Sequence, residues 1–242
     1  MSQRDDIYRS STAQIVDFAF TEEVAAVFPD MIRRSVTGYE TIIPVTGLIA
    51  ARHLGEAGTA YDLGCSLGAT TLAILSQSEA QDIHIVGVDS SLAMINGAKE
   101  NITDPRAQFI HQDLRDTPLN DAKVVILNLV LQFIEPEHRL QVISRIRSQM
   151  RKDGLLILTE KVRHEDTWLH QFYDDTHMAW KRANGYTEME VSGKRSALEN
   201  VMKIDTEATH TERLAEAGFG RVLQWYRCLN WTSFLAFADD AH

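Results

Sequence analysis

The chain has 242 residues, 44% of them hydrophobic, enough to fill the core of one large domain spanning residues 1–242. A formal net charge of −10 argues against a general nucleic-acid or anionic-membrane surface, while leaving room for a local basic patch. Two cysteines, Cys65 and Cys228, are too few for a disulfide framework, the opening MSQRDD is too polar for a signal peptide, and no apolar run reaches membrane-spanning length. The expectation is a soluble cytoplasmic protein with reduced thiols, no membrane contact and no direct nucleic-acid partner.

Residues 1–14 are polar and read as loose. From about 15 to 54 the pattern is helical: Thr21 caps TEEVAAVF, Pro29-Asp30 restarts the chain, and Tyr39–Leu54 is a longer amphipathic segment carrying Pro44. Strands and helices then alternate. Strands are predicted near Ala60–Leu63, His84–Val88, Gln108–His111, Val124–Leu129 and Leu155–Glu160, separated by helical segments such as Pro136–Arg151. Lys152-Asp153-Gly154 reads as the turn into the fifth strand. This alternation predicts an α/β fold with a doubly wound, mostly parallel sheet.

After Lys161 the pattern breaks: Glu165–Ala183 is helical and Tyr186–Asp205 is polar. A helix at Thr209–Ala217 leads into VLQWYRCLNWTSFLAFA, two β-rich runs split at Leu229-Asn230. They would pair as an antiparallel C-terminal hairpin at the sheet edge. The helices of about 15–54 and a helical insertion of about 163–205 are expected to cover the strand ends.

Thr59–Thr71, TAYDLGCSLGATT, is a strand–turn–helix junction. Gly64 and Gly68 allow close backbone approach, and the following helix offers a positive N-terminus. A dinucleotide site would read G-x-G-x-x-G; here Asp62 stands two residues before the first glycine, in the D-x-G-x-x-x-G spacing of S-adenosylmethionine (SAM) sites. An acid suits a ligand with a free amino group and repels a pyrophosphate. Asp89, 25 positions after Gly64, ends a second apolar strand and can accept both hydroxyls of an adenosine ribose. Asp113 follows a third apolar run and is placed to accept from an adenine amino group; Asn128 interrupts the hydrophobic run VVILNLVLQF. Each alone also reads as a helix cap. Four polar interruptions at the C-terminal ends of parallel strands point to a nucleoside site.

His170, Asp174 and His177 share one helical face, but the spacing is loose for a metal and a solvated face is the simpler reading, so no metal is expected. Trp225, Tyr226, Trp231 and Phe234 read as sheet packing or a subunit interface.

The strings VFPDMIRRSV-x-GY (Val27–Tyr39), YDLGCSLGA (Tyr61–Ala69), VVxLNxxLQFxEP (Val124–Pro136), KRANGY (Lys181–Tyr186) and KRSALENVM (Lys194–Met202) carry a resemblance. From about Tyr39 to Phe237 the chain resembles class I SAM-dependent methyltransferases, whose fold is Rossmann-like. More narrowly, and over essentially its whole length, it is similar to the carboxy-S-adenosyl-L-methionine synthase family. The resemblance implies conversion of SAM and prephenate to carboxy-SAM and phenylpyruvate. Carboxy-SAM then serves a partner enzyme that carboxymethylates the hydroxylated wobble uridine of certain tRNAs. It also implies a homodimer.

The chemistry is consistent from the reactants up. A sulfonium acidifies its attached methyl, and loss of a proton leaves a carbon nucleophile. Prephenate can lose carbon dioxide and hydroxide together as its ring becomes aromatic, and a closed site lets the nucleophile capture that carbon dioxide. The resemblance implies that the departing hydroxide takes the methyl proton, so no protein base is required. Carried over by position, the SAM contacts would be Tyr39, Gly64, Cys65, Ser66, Asp89, Ser90, Asp113, Leu114 and Asn128. Arg195 would hold the new carboxylate and act in catalysis, since a guanidinium can fork a carboxylate with two hydrogen bonds. From the residues alone, Arg195 equally reads as a solvated arginine and Tyr39 as a core aromatic. An ordinary small-molecule SAM methyltransferase shares every strand-end acid and does not need Arg195; a non-enzymatic SAM-binding protein is a third reading. A nicotinamide oxidoreductase is weakened by Ser66 and by the missing third glycine.

Overall fold

In the computed structural model, which describes residues 4–7, 19–199 and 201–239, the apolar runs form a seven-stranded sheet. Its strands are β1 (Ala57–Leu63), β2 (Asp82–Asp89), β3 (Ala107–His111), β4 (Ala122–Asn128), β5 (Met150–Lys161), β6 (Arg221–Cys228) and β7 (Trp231–Phe237). In space they run β3-β2-β1-β4-β5-β7-β6. The first five are parallel; β7 lies antiparallel to both β5 and β6, the hairpin expected at the edge. The order reverses between β1 and β4, so successive crossovers depart to opposite faces and leave a crevice at the strands' C-terminal ends.

The helices are α1 (Glu22–Ser35), α2 (Tyr39–Leu54), α3 (Ala69–Gln77), α4 (Leu92–Asn101), α5 (Pro136–Gln149), α6 (Thr167–Ala183), α7 (Glu188–Glu199) and α8 (Glu207–Glu216). Side chains alternate across the strands and both faces are covered. Val124, Ile126, Ile85 and Ile157 pack with Ala50 and Leu54 of α2, Ile74 of α3 and Ile95 of α4. Val125, Leu127, Leu156 and Leu158 pack with Val142, Ile143 and Ile146 of α5 and Leu214 of α8. Strands buried on two faces read as continuous apolar runs, which is why the parallel sheet is legible.

Two local expectations are corrected. Pro29 does not restart the chain. Thr21 caps α1, its Oγ1 accepting from the Val24 N–H at 3.4 Å, and the helix runs through Pro29 to Ser35. Burial of Val24, Val27 and Met31 against Met94 of α4 holds the helix together despite the lost N–H. Lys152-Asp153-Gly154 lies within β5, where the register shifts from Ala122 opposite Met150 to Val124 opposite Leu155, so the extra residues form an irregularity in the strand. Within the helical insertion, the polar stretch after Tyr186 forms α7, whose buried face includes Glu190 and Lys194 beside Val191 and Ala197.

Residues 4–7 are tied down rather than loose; the rest of 1–14 lies outside the described residues. Asp5 is buried and ion-paired to Lys194, and the Tyr186 hydroxyl donates to it at 2.5 Å. Arg139 on α5, fully buried, pairs with Asp205 at 2.6 Å and donates to the carbonyls of Ile134 and Lys203 at 2.8 and 2.7 Å. No helix among the described residues is long and apolar enough to cross a membrane.

His210 on α8 packs against Phe234 with ring centroids 6.0 Å apart. Its Nδ1 accepts from Arg213 at 3.3 Å. Burial and the Arg213 charge push its pKa down to about 4 from 6.5. The folded state therefore binds fewer protons than the unfolded state between those values, so stability is lost as pH falls through that window. Full protonation costs up to about 3 kcal/mol. We expect His210→Gln to lose less stability than the wild type when unfolding is measured from pH 7 down to pH 4.

Candidate active site

The loop after β1 sets the geometry of the crevice. Gly64 has φ +76°, and a Cβ there would meet Val130 Cγ2 at 2.5 Å, so both conformation and space require glycine. The N–H groups of Gly64 and Cys65 both donate to the Val88 carbonyl, at 2.7 and 3.0 Å, lashing the loop to the end of β2. Gly68, φ +83°, then opens α3. Asp62 is buried and accepts from the Thr71 N–H at 3.2 Å and the Thr71 hydroxyl at 2.8 Å. It thus caps α3 from the end of β1, where the helix dipole favours a negative charge. Burial pushes its carboxyl up to about 6, with a further push from the Asp89 charge.

Asp89 closes the other side of the loop. Its Oδ2 accepts from the Ser66 N–H at 2.9 Å and its Oδ1 from the Ser91 N–H at 2.8 Å. Ser66 itself is held at φ +50°. Burial raises the Asp89 pKa against these two N–H donors. Each oxygen spends one lone pair on the backbone and keeps another for a ligand donor. Burial likewise raises the Cys65 thiol, which remains a packed, unreactive group.

At the end of β4, the Asn128 Nδ2 donates to Thr70 Oγ1 at 2.9 Å, while its Oδ1 is buried without a partner among the described residues. A buried acceptor left open in a crevice calls for a ligand donor. Leu129 follows at φ +62°, sending the chain sideways. The next three N–H groups, of Val130, Leu131 and Gln132, all donate to the carboxylate of Glu160 on β5, at 3.1, 2.7 and 3.0 Å. Glu160 has no solvent exposure, and burial pushes its carboxyl up to about 8 against those donors and the Arg139 charge.

All ten residues expected from the sequence as site residues line one cavity of about 830 Å³. Gly64, Cys65 and Ser66, Asp89 and Ser90, Asp113 and Leu114, and Asn128 form the strand-end side. Asp113 carries a competing partner: Arg115 forks its carboxylate, with Nη2 at 2.6 Å, and holds its pKa down. Tyr39, at the start of α2, has its hydroxyl pKa raised by burial and by the Asp62 charge. Arg195 stands on the opposite side, on α7, with Nη1 3.4 Å from Asp174. Asp62 is not on the cavity wall, so its first task is to pin α3.

The face of α6 carrying His170, Asp174 and His177 turns toward this cavity and is not a solvated face. His177 Nε2 donates to the Ser35 carbonyl at 2.8 Å, and its ring meets Trp231 edge-on at 4.6 Å. Burial and the charges of Lys181 and Lys161 press its pKa to about 2, so it is neutral. Asp174 lies 3.9 Å from Lys161 as well as near Arg195. Trp231 and Phe234 are buried sheet residues, and Trp225 and Tyr226 are half-buried.

The sequence reading missed Glu160, Lys161 and Lys181. A signal for the first two was present: a charged pair closes the apolar run of β5 at the C-terminal end of a parallel strand, where ligands bind. For Lys181, deep in an amphipathic helix, the sequence offers none.

Glu160→Gln would keep one acceptor oxygen but turn an NH2 group toward backbone donors. We expect a loss of about 1–3 kcal/mol in unfolding free energy, measured by denaturant titration, from the unsatisfied buried N–H.

A family model described as a methyltransferase domain matches residues 60–154. The carboxy-S-adenosyl-L-methionine synthase of Shewanella oneidensis is 44% identical over 97% of this chain and 98% of its own length. That of Citrifermentans bemidjiense is 45% identical over 96% of this chain and 98% of its own. Among solved structures, an O-methyltransferase family protein from Burkholderia thailandensis matches 94% of this chain and 65% of its own, with a TM-score of 0.68 and 16% identity, a likeness of fold.

Proposed function

The chain belongs to the carboxy-S-adenosyl-L-methionine synthase family, and from that premise we propose that it converts SAM and prephenate into carboxy-SAM and phenylpyruvate in the cytoplasm. The observation that carries this reading is one cavity with two unlike sides. Carboxylates and amides stand at the strand ends, and an arginine faces them from α7. The two free lone pairs of Asp89 suit the ribose hydroxyls, and the open Asn128 Oδ1 suits the ammonium of the methionine part. Asp113 and Leu114 would receive the adenine, and Gly64 through Ser66 the backbone of the ligand. Tyr39 would close the methionine end.

SAM supplies an acidified methyl carbon; the protein's residues hold and shield. Arg195 takes the carboxylate that arrives on that carbon. Its present partner, Asp174, is an anion in the same position relative to the guanidinium, so the exchange is of one carboxylate for another. Helices α6 and α7 cover the crevice and limit water, which would otherwise intercept carbon dioxide. With the net charge of −10, the tRNA link would run through the diffusible product, passed to a tRNA carboxymethyltransferase, rather than through direct tRNA contact. The exposed, stacked pair Trp168 and Phe172 on α6, 5.4 Å between centroids, supports association of two copies as a homodimer.

The deciding experiment is incubation with SAM and prephenate followed by mass analysis. A SAM derivative carrying one extra carboxyl group is expected; unchanged SAM or a methylated acceptor would favour a plain methyltransferase. Asp89→Ala should weaken SAM binding by at least about tenfold, since hydrogen bonds to a charged acceptor contribute about 1.5–3 kcal/mol each. Calorimetry reads this directly, with circular dichroism as the fold control.

Arg195→Ala should leave SAM affinity within about threefold and cost carboxy-SAM about 1.5–3 kcal/mol, because only the second ligand has the group that the fork binds. Arg195→Lys should recover part of that loss. An unchanged ratio of the two affinities would make Arg195 a surface charge.

A further inference from the structure

Lys181 on α6 is a buried cation without an ion-pair or hydrogen-bond partner for its ammonium among the described residues. It is 5% exposed and lines the cavity. The charges that face it are Lys161 from β5, Lys194 and Arg195 from α7, and one carboxylate, Asp174, on its own helix. Asp174 is already shared between Lys161, at 3.9 Å, and Arg195, at 3.4 Å. Lys194 is committed to Asp5 and the Tyr186 hydroxyl. Positive charge is therefore in excess on this side, and among the described residues the Lys181 charge is offset only in part, by the shared Asp174. His177 beside it is neutral and adds no counter-charge. A desolvated ammonium among cations is costly unless an anion joins it. Burial and the neighbouring cations together press its pKa down to about 7, the mark of a group short of a counter-ion.

We infer that Lys181, with Lys161, binds the carboxylate of the co-substrate that is not transferred, while Arg195 receives the one that is. The inference rests on prephenate as the donor. That molecule is a dianion. As its ring becomes aromatic, the bond from the ring to one carboxylate breaks and its electron pair enters the ring. A carbon–oxygen bond on the far ring carbon breaks, and hydroxide leaves with that pair. The hydroxide takes a proton from the sulfonium methyl, giving water, and the methyl carbon's pair forms the new bond to carbon dioxide. The second carboxylate, that of the 2-oxo acid side chain, is untouched and departs with phenylpyruvate. It needs its own cation throughout, separate from the arginine that takes the product carboxylate. Lys181 binds and orients; no proton passes through it. The subsite thereby selects dicarboxylate donors and gives phenylpyruvate a place to inhibit.

Phenylpyruvate is the direct probe, because it keeps only the carboxylate in question. In the presence of SAM, Lys181→Met should weaken phenylpyruvate binding by at least tenfold by calorimetry. The KM for prephenate should rise by a similar factor, with SAM affinity held within threefold. Lys181→Arg should recover part of both. Wild-type phenylpyruvate affinity and KM in a folded Lys181→Met protein would overturn the proposal. A comparison needing no variant uses the methyl ester of phenylpyruvate, which lacks the charge: the wild type should bind it at least tenfold more weakly, and equal binding would also overturn the subsite. A wild type that makes no carboxy-SAM from prephenate, yet binds phenylpyruvate through Lys181, would overturn the donor and keep the subsite.

Discussion

The carboxylate of Glu160 sits at the end of β5 without contact with solvent, and it gathers the N–H groups of three successive residues, Val130 to Gln132. The left-handed turn at Leu129 and the short 3-10 turn Leu131–Phe133 depend on that gathering, because no strand or helix partner is available for those donors. The same segment supplies Val130, whose methyl groups fill the space that a side chain at Gly64 would need. Gln132 continues the network: its Oε1 accepts from the Lys161 N–H at 3.2 Å, and its carbonyl accepts from the Lys203 N–H at 2.9 Å. Arg139, beneath it, binds Asp205. One wall of the cavity is thus held by buried ions and amides, whose directionality fixes a unique arrangement where apolar packing alone would not.

The cavity is electrically divided. On the strand side, burial raises the pKa of Asp89, and burial together with the Asp89 charge raises that of Asp62 behind the wall. On the helical side, burial and neighbouring cations depress both lysines, Arg195 acting on Lys161, and Lys194, Lys161 and Arg195 acting on Lys181. Each side is destabilised by the charge it concentrates, and each is relieved by a ligand of the opposite sign. Such a field orients a ligand with cationic and anionic ends before close contact is made.

The helical side owes its position to residues far apart in the chain. Asp5 ion-pairs with Lys194, one residue from Arg195, and the same carboxylate takes the Tyr186 hydroxyl. Arg34 of α1 stacks 3.7 Å from the centroid of the Tyr186 ring and pairs with Asp30, whose carboxylate in turn accepts the Asp5 N–H. His177 adds a bond from α6 to the end of α1. The N-terminal segment therefore acts on the site through the helix that carries Arg195, and it does so with buried polar contacts whose removal would leave charges unpaired.

The alternation of apolar strands with amphipathic helices determined the doubly wound sheet. The glycine turn at Gly64 and the acid of Asp89 marked the crevice, because strand-end acids and tight turns are local signals that survive in one dimension. Lys181 and the burial of Asp5 were not legible, and Glu160 was marked only by its place at the end of an apolar strand. Each is a charge whose role comes from partners on other elements, and a charged residue in a sequence reads as solvated until the chain folds over it. The insertion was legible as helical, but the face of α7 that is buried was not, since two of its buried positions are Glu190 and Lys194. Sequence patterns report which side chains avoid water on their own account. Only tertiary structure decides which charges are removed from it, because that depends on whether a counter-charge waits inside.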